Sequence, residues 1–92
     1  MNISPIHPGE HLAEFIEEYG ITAYRLARAI HVQQTRISHI IHGQRAISAD
    51  TAIRLGRYFG TSAHFWLNLQ AQFDIAMAEP LIDDEIAVAA VG

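Results

Sequence analysis

The sequence of 92 residues predicts an all-α fold, a compact domain of five short helices. Three observations carry that expectation. Apolar residues recur at helical spacing nearly throughout, and no segment before residue 80 alternates with period two. Cap-forming Ser and Thr residues and helix-ending glycines punctuate the chain at short intervals. Half of the residues are hydrophobic, enough for one small core that buries roughly 60–65% of the unfolded chain's surface at this size. A second domain or a large catalytic cleft is not expected.

Pro8 stands at a helix-starting position, Leu12, Phe15, Ile16 and Tyr19 form one apolar face, and Gly20 stops the first helix. Thr22 caps a second helix with Ala23, Leu26, Ala27 and Ile30 on its buried stripe. The third is short, carries Ile37, Ile40 and Ile41, and ends at Gly43. Ser48 caps the fourth, whose buried face is Ala52, Leu55, Gly56 and Phe59 before Gly60. Ser62 caps the fifth, expected to run to Ala78 because Pro80 lacks the N–H that would continue it. The domain is therefore expected over residues 1–79, with 80–92 as an acidic, flexible tail.

Six arginines, no lysine and ten carboxylates give a net charge of −4. That total speaks against a nucleic-acid binder, but it hides a segregation. Residues 1–20, 21–66 and 67–92 carry −4, +5 and −5, and Asp50 is the single acid in the central block. Screening confines exposed charges to about 8 Å at physiological salt, so a ligand feels mainly the local patch. The chain has no cysteine, which excludes disulfides and thiol chemistry. It also has no apolar run of membrane-spanning length and no leader-like start, so a cytoplasmic location is expected.

Residues 22–43, TAYRLARAIHVQQTRISHIIHG, are the most informative stretch. Two short helices crossing steeply need a small residue at their contact, supplied by Ala27. The turn between them needs a residue tolerating positive φ and then an apolar anchor, supplied by His31 and Val32. With Ile37, Ile40 and Ile41 turned inward, the outer side of the third helix is Gln34, Thr35, Arg36, Ser38, His39 and His42. That surface has hydrogen-bonding groups and no carboxylate. Such a face suits the major groove, where Gln pairs with adenine and Arg with guanine. An ordinary solvated helix would carry Glu and Lys instead.

Leu26, Ala27, Val32, Ile37, Ser38, Ile40, Gly43, Arg45, Ile47 and Ser48 together resemble the phage-repressor (XRE/Cro-type) helix-turn-helix class. The flanks PGEHLAEFIEE and DTAIRLGRYFGTSAHFWLNL are similar to those of the HigA-type antitoxins, so the likeness spans about residues 5–79. It implies a dimeric antitoxin that binds a small basic ribonuclease of the RelE-like HigB type and represses its own operon. It also implies base contacts from Gln34, Thr35, Arg36 and His39, and phosphate contacts from Gln33, Arg45 and Arg25. Arg54 or Arg57 is expected to pair internally with a glutamate of the first helix.

The fifth helix has two apolar sides: Trp66, Leu69 and Phe73 on one, Leu67, Ala71 and Ile75 on another. A small monomer buries one such face, so Phe65, Leu67, Ile75 and Met77 are the candidate interface of a twofold dimer. Glu10, Glu14, Glu17 and Glu18 form a stripe along the first helix that suits a basic protein partner, and equally suits water. His7, Glu10 and His11 match the H-x-x-E-H string of some metallopeptidases. Pro8 leaves His7 at or outside the helix start, so the two histidines cannot share a face, and no metal, cofactor, catalytic residue or small-molecule substrate is expected. Two alternatives remain open: a stand-alone repressor of the same fold without a toxin, and a pure protein-interaction module.

Overall fold

The computed structural model describes residues 4–89. Five helices follow one another: α1 (Pro8–Glu18), α2 (Ala23–Ile30), α3 (Gln34–Ile41), α4 (Ala49–Phe59) and α5 (Ala63–Ile82). No strand occurs among the described residues. No helix is long and apolar enough to cross a membrane.

Helix starts are set by local chemistry. Thr22, Ser48 and Ser62 each accept a hydrogen bond from the backbone N–H three residues on. Each such cap contributes about 1 kcal/mol. The α1 cap is His7, whose Nδ1 accepts from the Gly9 N–H at 2.9 Å. Its backbone is extended, with ψ 139°, and so lies outside the helix. α2 ends on His31 in the left-handed region, φ 60° and ψ 48°, as the turn required.

The core is one cluster containing Leu12, Leu26, Ile37, Ile40, Ile47, Leu55, Phe59 and Trp66. Trp66 is fully buried and its Nε1–H donates to Thr61 Oγ1 at 2.8 Å, so its polar edge is not left without a partner. Phe15 stands 4.9 Å from Trp66 and 5.0 Å from Phe59 between ring centroids, tying α1 to α4 and α5. Gln70, also buried, accepts from the Ile47 N–H at 2.8 Å and donates to Asp74 at 2.9 Å. That bond fixes the connector between α3 and α4 against α5. α1 crosses α3 at Gly9, where a Cβ would lie 1.8 Å from the Ile40 carbonyl oxygen. Only glycine fits there.

Two expectations need correction. α5 does not stop at Ala78; it runs to Ile82 with Pro80 in its last turns. Proline removes one backbone bond, but that stretch is exposed, so the freed carbonyl is open to solvent and not buried without a partner. The expected boundary after residue 79 therefore falls inside α5, while residues 1–3 and 90–92 of the two expected segments lie outside the described residues. Second, neither Arg54 nor Arg57 pairs with a first-helix glutamate. Arg54 points at the C-terminus of α2, where the last carbonyls lack helical partners, and donates to the Ile30 oxygen at 2.8 Å. Leu67, one of the candidate interface residues, packs half-buried against the core.

Candidate nucleic-acid interface

The interface is built on α2 and α3. Ala27 is 3% exposed at the base of the α2–α3 crossing, and the Val32 N–H closes the turn on its carbonyl at 3.0 Å. Ile37 and Ile40 are fully buried and clamp one side of α3 to the core. The opposite side is thereby presented outward. Gln34, Thr35 and His39 are exposed, whereas Arg36 is half-buried. Three of the four expected base-reading residues are thus free, and the fourth is engaged.

Arg36 Nη1 lies 2.9 Å from Asp50 Oδ2, on the first turn of α4. The same oxygen accepts from Arg54 Nε at 2.9 Å. Hydrogen bonds from Arg54 and then from Arg36 hold the Asp50 carboxyl below its ordinary range. Spacing along the chain gave no sign of this junction, since Arg36 and Asp50 are 14 residues apart and meet only when α3 and α4 pack.

The expected phosphate contacts bracket α3. Gln33 is its N-cap residue, exposed and making no side-chain cap bond. The Arg36 N–H bonds the Gln33 carbonyl at 3.0 Å, which leaves the Gln34 and Thr35 N–H groups open to an anion. Arg45 is exposed in the connector beyond the other end, and α3 spans about 12 Å between them. Arg25 is exposed in the first turn of α2 and lines a groove with Thr22, Tyr24 and Arg28. A second groove between α2 and α3 joins Tyr24 and Arg28 to Gln33, Gln34 and Arg36. Tyr24 went unrecognised in the sequence. It is 55% exposed, with the Arg28 guanidinium 5.9 Å over its ring. An exposed tyrosine on an amphipathic helix was the available signal. At the far end of α3, His42 Nδ1 lies 2.7 Å from the Ser38 carbonyl, so that nitrogen carries the hydrogen.

Elsewhere, Glu10, Glu14, Glu17 and Glu18 are all exposed and make no ion pair among the described residues. On α5, Ile75 and Met77 are 58% and 53% exposed. Phe65 is 37% exposed, yet already meets Trp66 edge to face with ring centroids 5.1 Å apart. The described residues contain no group of three metal-ligating side chains. His7 serves α1 as a cap.

A helix-turn-helix family matches residues 12–66. Virulence-associated protein I of Dichelobacter nodosus is 52% identical over 75 residues, 80% of this chain and 69% of that protein. Antitoxin HigA-1 of Vibrio cholerae is 39% identical over 72 residues, 77% of this chain and 68% of that protein. The solved structure of the Pseudomonas aeruginosa antitoxin HigA with the higBA promoter is similar at a TM-score of 0.85 and 47% identity, over 94% of this chain and 99% of that one. Two of these relatives are named as antitoxins, and one of the two was solved with promoter DNA. With its five helices, its left-handed turn at His31 and a carboxylate-free outer face on α3, the chain belongs to the helix-turn-helix family and, within it, to the HigA-type antitoxins.

Proposed function

We propose that this protein is the antitoxin of a toxin–antitoxin module, a dimer that represses its own operon and neutralises a small basic RelE-like ribonuclease. The observation that carries the DNA half is the outer face of α3. It offers Gln34, Thr35, Arg36 and His39 with no carboxylate of its own, between Gln33 and Arg45 at its two ends. In this reading those four meet base edges, and Gln33, Arg45 and Arg25 meet phosphates. The relative solved with its promoter supports the same partner.

Two further features support the rest. Ile75 and Met77 lie on a stretch of α5 whose described residues are all exposed, and a twofold copy would cover them together with parts of Phe65 and Leu67. The stripe of Glu10, Glu14, Glu17 and Glu18 makes no ion pair among the described residues, and suits the approach of a basic nuclease. In this reading the protein acts in the cytoplasm, where its operon is within reach.

One paired experiment tests both halves. Co-expression with the adjacent gene, followed by purification through a tag on this chain, recovers a small basic protein. A gel shift on the chain's own promoter weakens as salt rises, with a slope of about one per phosphate neutralised. A promoter shift without any co-purifying partner would leave a stand-alone repressor. A partner without any shift at low salt would leave a protein-interaction module.

A further inference from the structure

Arg36 reaches the reading surface already bound. Its Nη1 and Arg54 Nε share one oxygen of Asp50 at 2.9 Å each. Arg54 Nη1 continues to the Ile30 carbonyl at 2.8 Å. The chain of contacts thus runs from α3 through the first turn of α4 to the last turn of α2. A guanidinium presents its donors as a rigid planar fork. Asp50 takes one nitrogen of Arg36, and the Nε–Nη2 edge makes no hydrogen bond among the described residues. Two parallel donors on such an edge match O6 and N7 of guanine.

The cluster is a poor stability device. The Asp50 side chain is 56% exposed, and ion pairs so open to water contribute little to folding. Its charge is also costly where it stands, because it is the single acid among residues 21–66 and adjoins the face that meets a polyanion. We propose that Asp50 is a positioning residue for operator reading. It stays bound to Arg36 in the DNA complex and aims the Nε–Nη2 edge at a base. It also cancels a charge that would otherwise attract phosphates of any sequence. This rests on the DNA-reading role proposed for α3.

The test compares the full chain with Asp50→Asn, Arg36→Ala and the double variant. Each binds two duplexes of equal length, its own promoter and a random sequence, across a salt series. Thermal melting of each protein runs alongside. Asp50→Asn is expected to bind random DNA more tightly, with a salt slope steeper by about one. Its promoter-to-random affinity ratio falls about tenfold, while its melting temperature stays close to the parent's. Arg36→Ala loses the same discrimination, and adding Asp50→Asn to it lowers the ratio no further. A ratio unchanged in Asp50→Asn, with or without a lower melting temperature, would overturn the proposal and leave Asp50 a brace or a bystander. An equal gain on both duplexes would reduce it to a bulk charge effect and overturn it too. If the unaltered chain itself failed to prefer its promoter, the DNA-reading role would fall first, an outcome distinct from either of these.

Discussion

At the scale of single residues, the side chains that matter at the interface are those whose charge is already committed. Asp50 accepts from two arginines on one oxygen, so its folded carboxyl titrates below its unfolded value. The linkage sign follows: the contribution of the pair is complete above about pH 4 and disappears only as acid takes the pH down through the depressed folded value. A carboxyl NMR titration is expected to find Asp50 ionising at lower pH than a free aspartate. In Arg36→Ala/Arg54→Ala it rises back to the ordinary aspartate range. No return in that double variant would assign the depression to another source. Arg36 itself was legible as an outward residue of α3, because helical spacing fixes the face. Its partner was not, since a contact 14 residues away depends on how two helices pack. His7 shows the same limit in reverse. The proline after it placed it outside α1, yet the bond from Gly9 to its Nδ1 needs a rotamer that no pattern specifies.

At the scale of helices, starts and stops were readable because caps are local chemistry: Thr22, Ser48 and Ser62 each bond within three residues. The end of α5 was not, because Pro80 breaks a helix decisively only where the lost bond is buried, and there the chain is exposed. The crossing of α1 on α3 was also invisible, although it decides where the reading helix stands. Gly9 lies so close to the Ile40 carbonyl that an added Cβ would sit at 1.8 Å. Gly9→Ala therefore forces the two helices apart. It is expected to cost about 1–3 kcal/mol, seen as a lower thermal midpoint, and to weaken promoter binding as α3 shifts. Gly20→Ala is the control. Gly20 has φ +63° but nothing within 4 Å of an added Cβ, so it costs about 1–2 kcal/mol of backbone strain and leaves promoter affinity per folded molecule unchanged. Equal affinity in the two variants would show that the α1–α3 contact does not govern the position of α3.

At the scale of the whole molecule, charge and apolar surface sort onto different parts of the chain. The basic centre holds α3, while the acidic first helix and the last residues lie outside it, so a net charge of −4 is compatible with the proposed DNA-facing surface. The apolar surplus lies at one end. From Asp74 onward every described residue is exposed, and this stretch includes Ile75, Met77, Leu81 and Ile82. Two turns of helix with such side chains gain little from backbone bonds alone, because helical stability in water comes mostly from packing an apolar face. In the proposed dimer, a second copy docked on this stretch would supply that packing. It would also set two α3 helices apart so that they read half-sites about 34 Å from one another, or a multiple of it. Ile75→Asp/Met77→Asp removes the surplus without touching the core. Light scattering is expected to show a monomer where the parent chain is a dimer. Promoter affinity then falls by at least tenfold, because each half-site must be bound independently, while binding to a single half-site is unchanged. A double variant that remained dimeric would move the interface off this end of α5.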